Sequence, residues 1–183
     1  ADLVGFTRYC GRHAPEQVVD QLQALVEAWE EIAERHHILK IKTIGDAFMA
    51  ACGLLEEAPD DPVFCTVRFG LEMIEATRRV APDWSVRVGI HVGPVVAGVV
   101  GRRQYLFDLW GDTVNTASRM ESNGRPNTIN LSPEAWSRIA SMARGLPNRA
   151  EVKGIGWTDM VLLDSFGPPD AGAQAVVLAR RIG

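Results

Sequence analysis

The 183-residue sequence has few cysteines and no long apolar run. Cys10, Cys52 and Cys65 show no Cys-x-x-Cys spacing, which argues against a disulfide framework, so we expect three buried, reduced thiols. Because no stretch of about eighteen apolar residues occurs, no transmembrane helix is predicted and a cytoplasmic domain without membrane contact is expected. The chain opens in what looks like the end of a strand, so we expect upstream sequence, which could anchor the full-length protein to a membrane.

The sequence also lacks a basic excess and a P-loop. Its formal net charge of −4 provides no general attraction for nucleic acid, so no nucleic-acid partner is expected. No G-x-x-x-x-G-K-[ST] run is present, which excludes that class of nucleotide site. Apolar residues make up 46% of the chain and charged residues 23%, values typical of one globular domain.

Hydrophobic spacing predicts a ferredoxin-like core. A strand ending near Val4 precedes a helix over 15–36, a hairpin with strands 38–44 and 47–51, a helix over 61–80 and a strand over 85–92. This βαββαβ order predicts an α/β (α+β) fold with an added C-terminal αβ portion. The added elements are strands at 95–100 and 107–110, a helix at 112–122 with Asp112 as N-cap, a strand at 128–131, a helix from Ser132 to about 143, and strands at 150–153 and 160–163. Residues 1–166 form the predicted domain and 167–183 a tail.

Several polar groups occupy positions where a nucleotide site could form. Asp2 ends the first strand and Asp46 lies at the hairpin tip, so both carboxylates can meet at one edge of the sheet and bind Mg²⁺; alternatively, Asp46 only forms the turn. Asn115 and Arg119 share one helix face, either as ligand groups or as a solvated surface. The amides near Gly5 precede a helix and can meet phosphate.

Five motifs together resemble the class III nucleotidyl cyclases, in the order and spacing of that family over about residues 1–164. They are Asp2-Leu3-Val4-Gly5-Phe6-Thr7, Lys40 to Ala50, Arg87 to Gly101, Trp110 to Ser122 and Val152-Lys153-Gly154. The resemblance implies the class III cyclase fold and an adenylate cyclase, a lyase that converts ATP to cyclic AMP and pyrophosphate in signal transduction.

The family's site residues map onto this chain one by one. The resemblance implies two divalent metal ions, Mg²⁺ or Mn²⁺, held by Asp2, Asp46 and the carbonyl of Leu3. Asn115 would position the ribose and Arg119 would stabilise charge at the reacting phosphorus. The triphosphate would be bound by the amides of Gly5, Phe6 and Thr7 and by Arg87 and Lys153. Many members read Lys-Gly-Lys-Gly where this chain reads Lys153-Gly154-Ile155-Gly156, so phosphate affinity is expected to be lower here.

The resemblance places base recognition at Lys42 and Asp108, with Leu109 beside them. Adenine offers an acceptor at N1 and a donor at its 6-amino group, which a lysine and an aspartate complement, whereas guanine would require an acceptor where Lys42 stands. ATP is therefore preferred over GTP. The alternatives are a guanylyl cyclase and a catalytically silent domain that binds nucleotide or dimerises. The Gly-Gly-Asp/Glu-Glu-Phe turn of diguanylate cyclases is absent.

The family shares each site between two chains, so the resemblance implies a head-to-tail homodimer. One chain would supply Asp2, Asp46 and Arg87. Its partner would supply Lys42, Asp108, Asn115, Arg119 and Lys153. Because all of these residue types are present, a symmetric dimer with two sites is expected.

Overall fold

The computed structural model describes residues 1–55, 58–102, 105–152 and 156–167. The first half of the chain follows the predicted βαββαβ order, with a short additional helix after the first strand. The elements are β1 (Asp2–Val4), α1 (Phe6–Cys10), α2 (Pro15–Arg35), β2 (Ile38–Ile44), β3 (Ala47–Cys52), α3 (Pro62–Val80), β4 (Ser85–Ile90), β5 (Val96–Val100), β6 (Leu106–Trp110), α4 (Asp112–Ser122), β7 (Thr128–Leu131), α5 (Pro133–Ile139), β8 (Ala143–Val152) and β9 (Gly156–Phe166).

The ferredoxin-like prediction is confirmed by the strand order. The main sheet runs β1-β4-β7-β9-β8, with β4 parallel to β7 and the other neighbours antiparallel. Two hydrogen bonds between the backbones of Ala1 and Phe48 join the β2–β3 hairpin to β1. The hairpin thus extends the sheet on its β1 side, while β5 and β6 form a separate two-stranded ribbon.

Strand β4 has one apolar, buried face and one face that is partly exposed. Val86, Val88 and Ile90 are buried and belong to the hydrophobic core that α2 and α3 cover. Arg87 and Gly89 alternate with them and therefore face the opposite side, where α4 packs. β4 thereby connects the core to a polar face.

The helix α4 lies unusually close to β4. A Cβ built on Gly89 would come within 2.1 Å of the backbone nitrogen of Glu121 and 2.4 Å of the carbonyl oxygen of Ala117. Only a glycine fits at this position, because backbone atoms of a helix cannot move aside without moving the helix. This contact fixes the position of α4 on the sheet.

Several local predictions were wrong. Gly111, not Asp112, is the N-cap of α4, and α5 ends at Ile139 instead of near residue 143. The last two strands are much longer than predicted and pair over their whole length. Cys10 is exposed, whereas Cys65 is buried and Cys52 partly so.

Part of the predicted organisation falls outside the described ranges. Of the tail predicted at 167–183, only Gly167 is described, so the domain boundary remains a prediction. None of the helices in the described part of the chain combines the length and the hydropathy that a bilayer crossing requires.

Candidate active site

Asp2 and Asp46, the predicted metal ligands, lie on adjacent antiparallel segments. Ala1 and Phe48 exchange both of their backbone hydrogen bonds, at 2.8 and 2.9 Å. Such a pair exists only between antiparallel strands, so residues 2 and 3 run opposite residues 47 and 46. The structure therefore brings the two aspartates together at one edge of the sheet, next to the backbone of Leu3.

The electrostatics of Asp46 reflect this proximity. Burial raises the pKa of the Asp46 carboxyl above its usual range, and the Asp2 carboxylate raises it further. The guanidinium of Arg87 and the backbone N–H groups of Asp46 itself and of Leu3 lower that pKa. The Asp2 carboxylate thus disfavours ionisation of Asp46, a repulsion that a bound cation would relieve.

The donor set at this edge fits a hard divalent cation. It offers two carboxylates, and the carbonyl of Leu3 lies in the same strand as Asp2. Mg²⁺ is commonly held by one or two carboxylates together with waters and substrate phosphates. Within the described ranges no group of three or more His, Cys, Asp or Glu side chains is arranged to hold a metal, so further ligands would come from backbone, water or nucleotide.

Arg87 is held between two carboxylates. Its Nη2 donates to Oδ2 of Asp2 at 2.9 Å, and its Nε lies 2.8 Å from Oε1 of Glu121. The second contact is an ion pair and not a hydrogen bond, because the Nε–H is not aligned with the oxygen. Burial raises the pKa of Glu121, Arg87 opposes the rise and Asp2 adds to it. One cluster thus joins β1, β4 and α4.

Glu121 is a site residue that the sequence interpretation missed. It lies in the same motif as Arg119 but was assigned no role. A helical wheel could have flagged it, because position 121 follows Ala117 by four residues and both face Gly89. An acidic residue on the sheet-facing side of a helix requires a cation opposite it, and Arg87 is that cation.

Lys42 and Asp108, the predicted base-reading pair, contact each other. Nζ of Lys42 lies 2.5 Å from Oδ2 of Asp108, and the backbone N–H of Leu109 donates to Oδ1 at 2.8 Å. The hydrogen bond from Lys42 and the one from Leu109 lower the pKa of Asp108. Leu109 itself is buried, so it supports the carboxylate through its backbone. A β-bulge between Lys40 and Lys42 interrupts the register of β2 at this point.

Asn115 and Arg119 form a second group on α4. They lie one turn apart, with Asn115 exposed and Nη1 of Arg119 3.6 Å from Oδ1 of Asp112. For these described side chains, no hydrogen bond or ion pair leads from Asn115 or Arg119 to either metal aspartate. Within one chain the predicted site residues therefore fall into separate groups.

The predicted phosphate-binding residues at the N-terminus surround a sharp turn. Gly5 has a φ of 77°, in the left-handed region, and α1 begins at Phe6. The amides of Phe6 and Thr7 lie in the first turn of a helix, where N–H groups lack intrahelical partners. Lys153, the remaining predicted phosphate ligand, lies outside the described residues.

The β5–β6 ribbon, which we call the arm, exposes apolar side chains. Val96, Val99, Val100, Leu106 and Trp110 are all exposed. Asp108 lies opposite Gly98 in the same ribbon. Exposed apolar side chains grouped on one short ribbon make the arm a candidate interaction surface.

The family model and the similar proteins found for this chain are all nucleotide cyclases. The family model described as "Adenylate and Guanylate cyclase catalytic domain" matches residues 1–164. The germination-specific adenylate cyclase of Dictyostelium discoideum is 40% identical over 141 residues, covering 74% of this chain and 16% of its own length. Guanylyl cyclase C of Homo sapiens is 39% identical over 151 residues, covering 79% of this chain and 14% of its own length.

A solved structure is similar over nearly the whole described fold. The guanylate cyclase domain of RhGC from Catenaria anguillulae, in complex with GTP, has a TM-score of 0.82 and 33% identity, covering 88% of this chain and 91% of that one. The chain spans well under a fifth of the length of the two curated relatives named above.

Proposed function

The chain belongs to the family of class III adenylyl and guanylyl cyclase catalytic domains, and from this premise we propose that it is an adenylyl cyclase, which converts ATP to 3′,5′-cyclic AMP and pyrophosphate. The observation that supports adenine over guanine most directly is the ion pair of Lys42 with Asp108. These two side chains provide one donor and one acceptor side by side, as the N1 and 6-amino edge of adenine requires.

Base selectivity follows from the cost of mispaired polar groups. Guanine would set its N1–H donor against the ammonium of Lys42 and its O6 acceptor against the carboxylate of Asp108. Each mismatch costs about 1–3 kcal/mol, so two of them give at least roughly 30-fold discrimination. The backbone N–H of Leu109 restrains the Asp108 carboxylate through its other oxygen.

Members of this family depend on divalent metal ions, and Asp2, Asp46 and the carbonyl of Leu3 would hold two of them here. When bound, such ions would increase the acidity of the ribose 3′-hydroxyl and offset the charge of the triphosphate. The repulsion between the carboxylates of Asp2 and Asp46 supports this assignment, because it makes the edge attractive to cations.

The chain's own residues would position the substrate and stabilise charge. The ribose 3′-oxygen forms a bond to the α-phosphorus, the bond from that phosphorus to pyrophosphate breaks, and the hydroxyl proton is lost. Asn115 would orient the ribose, and Arg119 would donate to the phosphoryl oxygens as their charge grows. The triphosphate would be bound by Arg87, Lys153 and the amides of Gly5, Phe6 and Thr7.

We further propose that two copies of the chain assemble head to tail and share each site. The separation of Asn115 and Arg119 from the aspartates within one chain supports sharing, and the exposed apolar arm offers a surface for the partner. The catalytic unit is proposed to be residues 1–166. Free cysteines are typical of a reducing compartment, which supports a cytoplasmic location.

The direct test is to assay cyclic AMP and cyclic GMP production from ATP and GTP side by side with Mg²⁺ or Mn²⁺. The proposal predicts a preference for ATP of at least about 30-fold in kcat/KM. The double variant Lys42→Glu/Asp108→Gly should shift the preference towards GTP. Arg79→Glu, a charge reversal at the exposed end of α3, is the matched control and should leave the preference unchanged.

The second candidate is a guanylyl cyclase, favoured by the similarity to guanylyl cyclase C and to a GTP-bound domain. A preference of the wild-type chain for GTP would establish it. Binding of ATP with no cyclic product under either metal would instead identify a silent nucleotide-binding domain.

A further inference from the structure

The cluster of Asp2, Arg87 and Glu121 contains one cation between two anions. The distances are 2.9 Å from Nη2 to Asp2 and 2.8 Å from Nε to Glu121, so the two carboxylates contact different nitrogen atoms of the guanidinium. The two partners also come from different elements, β1 and α4. Arg87 can therefore lose one partner without losing the other.

The two carboxylates differ in how far they are removed from water. The side chain of Glu121 is 12% exposed and that of Asp2 is 27% exposed. Oε1 of Glu121 and Nε of Arg87 are both shielded from solvent. Glu121 is the inner partner of the guanidinium, and Asp2 is the outer one.

The backbone of Glu121 is fixed in place by the close helix–sheet contact at Gly89. Its nitrogen is the atom nearest to a Cβ placed on Gly89, at 2.1 Å. Gly89 lies two residues from Arg87 on the same face of β4. The distance between the backbones of residues 87 and 121 is thereby set by the fold.

We infer that Glu121 is a positioning residue, whose ion pair with Nε holds Arg87 in place so that Nη2 can donate to the triphosphate once a cation engages Asp2. This inference rests on the proposed function of the site. It assigns Asp2 two alternative partners, the guanidinium in the absence of the cation and the cation in its presence. Glu121 keeps Arg87 directed at the same place in both states.

If Glu121 acted only through its charge, its neutralisation would change nucleotide binding in the direction opposite to that expected for a positioning residue. Glu121 is an anion close to the place where a polyanion would bind, so neutralising it would strengthen binding if charge alone mattered. A positioning role predicts weaker binding instead, because Arg87 would lose its fixed direction. The sign of the change separates the two.

The experiment measures the dissociation constant of 3′-deoxy-ATP with Mg²⁺ by calorimetry. This analogue lacks the attacking hydroxyl and cannot cyclise, so binding is read without turnover. Glu121→Gln should weaken binding about tenfold or more. Glu121→Asp keeps the charge but withdraws it by one methylene group and should weaken binding to a smaller extent. Glu75→Gln, the same change at an exposed ion pair on α3, is the matched control.

A double-mutant cycle ties the effect to Arg87. In an Arg87→Ala background, Glu121→Gln should change the dissociation constant less than about twofold, because its partner is gone. Unchanged or tighter binding in Glu121→Gln, or an equal loss in both backgrounds, would overturn the inference. If Glu121→Gln does not fold, the same double-mutant cycle with Glu121→Asp and Arg87→Ala tests the inference. Absence of cyclic product from the wild-type chain would count against the proposed function and not against the role of Glu121.

Discussion

In the part of the chain that the structure describes, the cationic side chains of the candidate site lie beside anionic partners. Lys42 pairs with Asp108, and Arg87 pairs with Asp2 and Glu121. A ligand that enters must replace these partners with groups of matching polarity, because an unpaired, partly buried charge is costly. Under the proposed function, this pairing would contribute to nucleotide selectivity before any ligand binds.

The cysteines should differ sharply in reactivity. Burial, helped by the neighbouring Cys65, raises the pKa of the Cys52 thiol to about 11. Only the thiolate reacts, so at pH 8 the reactive fraction of Cys52 is roughly 200-fold smaller than for a thiol of the usual pKa near 8.5. Alkylation with iodoacetamide, followed by peptide mass spectrometry, should modify exposed Cys10 first and Cys52 far more slowly.

Two controls complete this measurement. A Cys10→Ser variant should show only the slow phase, and in denaturant all three cysteines should react at similar rates. Modification of Cys52 in the native chain as fast as that of Cys10 would show that its thiol is not buried as described.

At the level of residues, the sequence predicts that Asp2 and Asp46 lie together, but it does not predict the ion pair of Arg87 with Glu121. Asp2 and Asp46 could be paired in advance, because the βαββαβ order places the first strand beside the hairpin. The pairing of Glu121 with Arg87 could not be predicted in this way. Periodicity indicates which face of a helix a residue occupies, but it does not indicate which side chain lies opposite. That requires the close approach at Gly89, which depends on tertiary packing.

Among the elements, the packing of α4 on β4 leaves no room for a side chain at Gly89. Gly89→Ala would place a methyl group 2.1 Å from the backbone nitrogen of Glu121, so the helix must shift. Overpacking of this kind costs about 1–3 kcal/mol, which should lower Tm by roughly 3–10 °C in thermal denaturation. Cyclase activity should also fall, because α4 carries Asn115 and Arg119.

Gly11→Ala is a suitable control for this prediction. A Cβ at Gly11 would meet only ordinary contacts, of 3.7 Å or more, and its φ of −71° suits any residue. It should leave Tm within about 2 °C of wild type, since surface substitutions usually change stability by less than 0.5 kcal/mol. If Gly89→Ala were as stable as Gly11→Ala, the close packing of α4 would be refuted.

The elements with strong periodicity were predictable and the late strands were not. The helices α2 and α3 begin and end within a residue or two of their predicted bounds. In β8, Gly145 and Pro147 weaken the strand signal, yet both residues pair with β9 across a register shift after Arg144. In β8, pairing with the long strand β9 outweighs the low strand preference of glycine and proline.

On the scale of the whole molecule, the proposed active site requires two chains. One chain carries the aspartates and Arg87 at one edge of its sheet and carries Asn115 and Arg119 on the exposed side of α4. The arm leaves Val99, Val100 and Leu106 exposed beside Asp108. A second copy that covers the arm would bring complementary groups together and form two equivalent sites.

Mixing two inactive variants tests this claim most directly. Asp46→Ala and Arg119→Ala chains should each be inactive alone, because every site in each homodimer lacks one group. Mixed in equal amounts under conditions that allow exchange, half of the dimers contain both chains, and each mixed dimer has one complete site. Cyclic AMP formation should therefore recover to about a quarter of the wild-type rate. Recovery would support sites shared between chains, whereas a mixture of folded, dimeric variants that stays at background would contradict them.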